Sequence, residues 1–310
     1  MHTVYLGTSE FAATVLERLA GGPHRPALVI TRPDRPSGRG RRLTAPPVAA
    51  AARRLEISVA QPERIGDPEA LRAIEAAAGA QADELLLVVC AFGALIKEPL
   101  LSTYPLLNVH PSLLPRCRGA APIERAIMAG DTESGVSIMR LTAGLDSGPV
   151  CLAAAAAIGP HETYGSLAAR LAQLGGELLV RVLDGIAQGA PPPFVEQDGA
   201  LATYAEKLGP EDRMLDPDTP ALALERRVRA LHPHIGARLA LSDDTLLGVR
   251  RAEALSADPD GLAPGELADV AGQLLYGTRA GALRLLEVQP PGGRPMDAGA
   301  YLRGHDLRRP

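Results

Sequence analysis

Tryptophan is absent from this 310-residue chain and phenylalanine occurs three times, so aromatic residues make up only 3% of it. The core must therefore rest on Ala, Leu and Val. Hydrophobic residues still reach 46%, which is normal for a globular protein and argues against disorder. Lysine is confined to Lys97 and Lys207, and arginine carries the rest of the positive charge. We read that as a compositional habit. The net charge is −4, so any nucleic-acid contact must come from a local basic patch. Cys90, Cys117 and Cys151 are isolated and odd in number, which fits neither a disulfide framework nor zinc spacing and suggests a reducing compartment. No uninterrupted apolar run approaches the roughly 18 residues of a membrane span. Met1-His2-Thr3-Val4 lacks the charged-then-apolar pattern of a secretory signal, so none is expected. There is no Gly-x-Gly-x-x-Gly, which makes dinucleotide binding a poor reading.

The length suits one large domain or two ordinary ones. Val4-Tyr5-Leu6 is a short apolar run closed by Gly7, and Thr8 or Ser9 can cap a helix from Glu10 to Ala20. Strands are expected at Ala27–Thr31, Leu85–Ala91, Leu106–Val109, Val136–Leu141 and Val150–Ile158. Helices are expected at Pro47–Glu56, Glu69–Ala78, Pro122–Met128 and Glu162–Ile186. The run Leu85–Ala91 is apolar throughout, as in a strand buried on both faces of a parallel sheet. Strands alternating with helices predict an open α/β sheet, whose ligand sits outside the carboxyl ends of the strands. Gly189-Ala190-Pro191-Pro192-Pro193 reads as a stiff linker. Beyond about Tyr204 the texture changes. One helix, Ala221–Leu231, is followed by short runs at Ala237–Leu241, Thr245–Arg251, Gln273–Tyr276 and Leu283–Gln289, which suggest a small β-barrel or sandwich.

The chemistry concentrates at Asn108-Val109-His110-Pro111-Ser112-Leu113-Leu114-Pro115, continues to Arg118-Gly119, and resumes at Gly144-Leu145-Asp146-Ser147-Gly148. An amide, an imidazole and a hydroxyl follow a strand end, and a carboxylate stands in a second, glycine-flanked loop. Acyl transfer needs such a set: an amide and an imidazole to hold an oxyanion, an imidazole to move a proton, a carboxylate to fix the imidazole's protonation state. Taken alone, His110 would read as a satisfied structural histidine and Asp146 as a turn former. The loop Arg32–Leu43 gathers Arg32, Arg35, Arg39, Arg41 and Arg42 around Pro36, Gly38 and Gly40. It is either a solvated charged loop or an RNA contact, since guanidinium groups bind phosphates and stack on bases. His232-Pro233-His234 offers no further ligands and reads as a surface turn.

The Asn108–Pro115 string, Arg118-Gly119-Ala120-Ala121-Pro122 and Gly144–Gly148 strongly resemble the folate-dependent formyltransferases. Gly7-Thr8-Ser9-Glu10-Phe11-Ala12, Arg32–Leu43 and Tyr204-Ala205-Glu206-Lys207-Leu208 are similar to the branch that acts on charged tRNA. The likeness covers nearly the whole chain and is strongest over residues 85–150. It implies an α/β fold class: an open, mostly parallel, Rossmann-like sheet followed by a smaller β-barrel, OB-like, C-terminal domain. The expected boundaries are 1–188 for the catalytic domain, 189–206 for the linker and 207–310 for the tRNA-binding domain.

The implied reaction moves a formyl group from 10-formyltetrahydrofolate to the amino group of initiator methionyl-tRNA, without a metal, in a cytoplasmic monomer. Asn108, His110 and Asp146 are the implied catalytic residues. Ser112, Leu113, Leu114, Pro115, Phe92 and Leu95 are the implied folate contacts, and Arg39, Arg41, Arg42 and Lys207 the implied tRNA contacts. The chain departs from the family pattern at Cys117, a position commonly aromatic, and at His232–Gly236, where an aromatic-proline turn is expected. Three rival readings compete with this one. Another formyl acceptor, an amino sugar nucleotide or glycinamide ribonucleotide, leaves the arginine loop and the Lys207-led domain unexplained. Hydrolysis of formyl-folate would use the same residues with water in place of the amine. A catalytically idle RNA-binding protein has no use for the Asn–His–Asp set.

Overall fold

The computed structural model describes residues 2–37, 42–79, 85–241, 245–257, 261–305 and 307. In chain order the first elements are β1 (His2–Gly7), α1 (Glu10–Ala20), β2 (Leu28–Ile30), β3 (Arg35–Ser37), β4 (Arg42–Thr44), α2 (Pro47–Arg54), β5 (Ser58–Ala60), α3 (Pro68–Ala78) and β6 (Leu85–Cys90). Then come α4 (Leu100–Thr103), β7 (Leu106–His110), β8 (Arg118–Gly119), α5 (Pro122–Ala129), β9 (Glu133–Arg140), β10 (Val150–Ala157) and α6 (Tyr164–Ala187). The last are β11 (Tyr204–Ala205), α7 (Ala221–Leu231), β12 (Ala237–Ala240), β13 (Leu246–Leu255), β14 (Leu267–Val270), β15 (Gln273–Gly277), β16 (Ala282–Gln289), β17 (Met296–Asp297) and α8 (Ala298–Leu302). The chain divides into two compact units. One comprises Met1–Gly119, Ser134–Ala156 and Ala168–Tyr204; the other comprises Ala120–Glu133, Ala157–Leu167 and Ala205–Pro310. No helix among the described residues is long and apolar enough to cross a membrane.

The first unit holds a seven-stranded sheet in the order β10-β9-β7-β6-β1-β2-β5. It is mostly parallel: β1 pairs in parallel with β2 and β6, β2 with β5, and β6 with β7, while β7 and β9 are antiparallel. Every residue of β6 is buried, because helices cover both faces. The register Leu6↔Val89 and Val89↔Asn108 brings the carboxyl ends of β1, β6 and β7 level. The turn out of β1 admits only glycine at position 7, since a Cβ there would stand 2.9 Å from the Ala12 Cβ and 3.0 Å from the Cys90 carbonyl. Ser9 then caps α1, its hydroxyl accepting from Ala12 N–H at 3.3 Å.

Leu87 is fully buried in β6 among Val4, Leu6, Ile30, Ile74 and Leu106. Leu87→Ala is expected to cost about 2–5 kcal/mol, since aliphatic neighbours held in a sheet cannot collapse into the void. Calorimetry should show the melting temperature down by roughly 5–15 °C, and an unchanged value would contradict this packing.

The second unit is built on an antiparallel sheet in the order β12-β13-β16-β15-β14, with β17 on β16. Strand β13 pairs with both β12 and β16 and shifts register between Val249 and Ala252. Such a bulge bends and twists a strand, which lets one long strand serve two neighbours. Helix α7 covers the sheet, with Leu224, Val228 and Leu231 packed against Leu239, Val249 and Leu283. The His232–Gly236 turn keeps an aromatic-type contact. The His234 ring stacks on Tyr164 with centroids 3.7 Å apart, and its Nε2 lies 3.0 Å from Glu124 Oε1. Neither imidazole belongs to a metal cluster among the described residues.

Candidate active site

Strand β7 ends on His110, one residue beyond the expected boundary. Alternation along the strand separates its last residues between the two faces of the sheet. Val109 points toward α6, where a Cβ on Gly175 would be 3.0 Å from Val109 Cγ1. Asn108 and His110 share the other face, at 7% and 4% exposure. Buried polar groups need partners, and the carboxylate of Asp146 meets both. Asn108 Nδ2 donates to Asp146 Oδ1 at 3.4 Å, and His110 Nδ1 stands 3.7 Å from Asp146 Oδ2.

Asp146 adopts φ +43, the left-handed region that costs a non-glycine residue about 1–2 kcal/mol. Such a conformation persists only where surrounding contacts over-determine it. Here Gly119 N–H donates to Oδ2 at 2.8 Å, and the side-chain amide of Gln197 donates to the Asp146 carbonyl at 2.9 Å. Gly148 closes the turn against β9. A Cβ there would lie 2.0 Å from the Arg140 carbonyl, so no other residue fits.

The far side of the His110 ring is also met by an acceptor. Its Nε2 donates to the Cys117 carbonyl at 2.9 Å. Cys117 is buried with φ +57, and its N–H donates to Thr203 Oγ1 at 2.9 Å. Both ring nitrogens therefore face oxygen atoms. The two edges differ in tightness. The Cys117 contact is a full hydrogen bond, whereas 3.7 Å to Asp146 is too long for one. The Nδ1 edge is oriented but not sealed.

The loop after His110 is braced from within. Ser112 Oγ donates to the Arg116 carbonyl at 2.6 Å, Ser137 Oγ donates to the Ser112 carbonyl at 2.7 Å, and Leu114 N–H donates to Ser137 Oγ at 3.1 Å. The Ser112 hydroxyl is thus engaged in its own loop, with Leu113, Leu114 and Pro115 half-buried beside it. Phe92 lies in the core under β6, and its carbonyl accepts from Thr8 Oγ1 at 2.8 Å. Leu95 is 70% exposed and lines a cleft of about 560 Å³ with Ile65, Leu100, Arg64 and Lys97. Arg42 stands exposed on the β3–β4 hairpin, and Lys207 is exposed in the second unit. Arg39 and Arg41 lie outside the described residues.

Two groups at this site escaped the sequence. The Cys117 carbonyl is backbone, so no residue type announces it. Gln197 lies in the segment read as linker, and its partners, two backbone carbonyls about fifty positions earlier and the Arg118 guanidinium, are far back in the chain.

The chain is similar to known proteins along nearly its whole length. Residues 1–183 match the family described as Formyl transferase, and residues 207–306 match Formyl transferase, C-terminal domain. A methionyl-tRNA formyltransferase of Halorhodospira halophila is 44% identical over 308 residues, covering 98% of this chain and 96% of its own. Those of Herpetosiphon aurantiacus and Bordetella pertussis are 41% and 42% identical, each across 98% of this chain and 98% and 99% of their own lengths. Among solved structures, an N-formyltransferase of Helicobacter canadensis in complex with folinic acid and dTDP-3-aminofucose superposes with a TM-score of 0.67 at 14% identity, covering 92% of this chain and 98% of its own. HypX of Aquifex aeolicus, in complex with tetrahydrofolic acid, gives 0.63 at 16% identity across 97% of this chain and 47% of its own, a likeness of fold alone. With both halves of its length matched and close relatives aligned nearly end to end, the chain belongs to the formyl transferase family.

Proposed function

We propose that this chain transfers the formyl group of 10-formyltetrahydrofolate to the amino group of methionine esterified to initiator tRNA, giving N-formylmethionyl-tRNA for translation initiation. The observation that carries the reading is the convergence of Asn108, His110 and Asp146, drawn from two separate segments, into one buried cluster. The named relatives choose the acceptor. In this reading residues 1–188 carry the chemistry, 189–206 link, and 207–310 hold tRNA, in a cytoplasmic monomer. The donor's walls are Phe92, Leu95 and Ser112–Pro115. Leu95 and Leu145 are both large apolar side chains left exposed, at 70% and 61%, which suits a flat aromatic ligand.

The acceptor is an α-amino group with an ordinary pKa near 8, lowered further by the adjacent ester, so it needs little help to become nucleophilic. The difficulty is the negative charge on the formyl oxygen as the new C–N bond forms. Asn108 keeps one amide hydrogen for Asp146 and has a second to donate to that oxygen. His110 supplies a donor from its unsealed Nδ1 edge, while Asp146 balances the cationic ring. As the C–N10 bond breaks, His110 passes a proton to N10 and regains one from the attacking amine, so charge and protons balance. The long His110 contact to Asp146 is one a substrate can exchange for its own, whereas the 2.8 Å Gly119 contact keeps the carboxylate in place.

The test is transfer of labelled formyl to methionyl-tRNA, with free methionine, a nucleotide amino sugar and water as competing acceptors. Preferential labelling of the sugar, or hydrolysis at the same rate without tRNA, would overturn the reading. Arg42→Glu on the β3–β4 hairpin is expected to raise KM for tRNA about tenfold or more. It should also reduce the salt dependence of tRNA binding by about one unit of log-log slope, with folate KM unchanged. Equal loss for both substrates would remove Arg42 from the tRNA contact.

A further inference from the structure

The segment after the proline-rich stretch is fastened, at three successive points, to the loop that carries Asp146. Phe194 lies under the Arg140 guanidinium, 4.4 Å from its ring centroid. Val195 exchanges two backbone hydrogen bonds of 2.9 Å with Val150. Between these anchor points of the loop, Gln197 reaches its turn. The Gln197 Nε2 donates to the carbonyls of Asp146 at 2.9 Å and Gly148 at 2.6 Å. Its Oε1 accepts from Arg118 Nε at 3.0 Å and from an Arg118 terminal nitrogen at 2.8 Å.

A primary amide has two N–H donors and one oxygen with two lone pairs, and all four are used here. The orientation is fixed by chemistry, since nitrogen faces two carbonyls and oxygen faces a guanidinium. Arg118 is itself buried, and Gln197 Oε1 supplies the acceptor for two of its guanidinium N–H groups. No other side chain matches. Glutamate has no N–H to offer the carbonyls, and asparagine is one methylene short. The two carbonyls it holds are that of Asp146 itself, in its left-handed conformation, and that of Gly148 two residues on, so the clamp grips the residue whose carboxylate must face Asn108 and His110.

We propose that Gln197 is a positioning residue for formyl transfer, clamping the Asp146 turn through its two carbonyls so that the carboxylate stays aimed at Asn108 and His110. This rests on the catalytic reading of Asp146 above. It gives the region between the two family matches a part in the chemistry in place of a spacer's role.

Four variants test it: Gln197→Ala, Gln197→Glu, Asp146→Ala and the double Gln197→Ala/Asp146→Ala. Each is assayed with methionyl-tRNA after thermal unfolding has confirmed a folded chain at the assay temperature. Gln197→Ala is expected to lower kcat about 10–100-fold with KM for folate and tRNA within threefold. In the Asp146→Ala background the same change should cost less than twofold, because the clamp has nothing left to aim. Gln197→Glu keeps the shape and the Arg118 partner but loses both donors, so it should fail like alanine. The clamp is overturned if Gln197→Ala leaves kcat within threefold, if its effect is equal in both backgrounds, or if Gln197→Glu restores turnover. Full turnover by Asp146→Ala would refute the catalytic reading itself. An inactive Asp146→Ala beside a fully active Gln197→Ala would refute the clamp alone.

Discussion

Asn108→Ala should lower the rate of formyl transfer by about 10²–10³-fold, with His110→Ala at least as damaging. The magnitude follows from the position of the amide. Asn108 is 7% exposed, so its donor works where water cannot replace it. Removing one preorganised oxyanion donor from such a site costs about 2.7–4 kcal/mol of transition-state stabilisation. In the proposed mechanism His110 contributes a second donor and also the proton for the departing nitrogen, so its loss would remove two functions. The alanine variants should keep their fold, because neither side chain is part of the apolar cluster around β6. The loss should fall on kcat, with KM for folate and tRNA nearly unchanged, since the amide is used mainly at the transition state. Single-turnover transfer with saturating substrates measures this directly, and turnover within a few-fold of the parent by either variant would remove that residue from the reaction.

Asp146→Asn is the second large effect. The substitution is nearly isosteric, so it tests charge and hydrogen-bond direction. One carboxylate oxygen accepts from Gly119 N–H at 2.8 Å, and the other faces Asn108 Nδ2 at 3.4 Å. An asparagine must turn its NH2 toward one of these donors, so in either orientation a donor opposes a donor. In the proposed mechanism the counter-charge for the His110 ring is lost as well. Together these should cost about 10²–10⁴ in kcat, the range spanned by oxyanion-donor losses and by the aspartate-to-asparagine change in a Ser-His-Asp triad. Because the Gly119 N–H contact is also disturbed, the thermal midpoint must be measured alongside. A variant that melts like the parent yet turns over normally would show that the carboxylate serves the turn and not the chemistry.

Where the chain is periodic, the elements were legible from the start. Leu85–Cys90 is apolar without a break because both of its faces are covered, and α1 runs over the expected Glu10–Ala20, with Ser9 the cap of the two residues, Thr8 and Ser9, that the sequence offered. Pro68 and Pro122 open α3 and α5, as proline at a first helical turn should. The three-residue strand Ser58–Ala60 and the Arg35–Ser37/Arg42–Thr44 hairpin were not foreseen. Three residues show no period, and Pro36 argues against a strand except at an edge. In the second unit, Leu267–Val270 and Met296–Asp297 escaped for the same reason of length. The stretch read as a stiff linker also carried more than its prolines suggested, since Val195 and Gln197 make their contacts to residues far back in the chain.

The sequence by itself determined which chemical groups the site would contain and which strand would present two of them. Residue types and the two-residue alternation of β7 are local properties, written into neighbouring positions. Only the tertiary structure decided where the carboxylate points and what holds it there. Asp146 reaches Asn108 and His110 through a left-handed turn, braced by the Gly119 amide and by Gln197, and the His110 ring is set by the Cys117 carbonyl. Contacts of that kind run between distant stretches of backbone, whose N–H and C=O groups are the same at nearly every position, so no pattern of side chains can announce them.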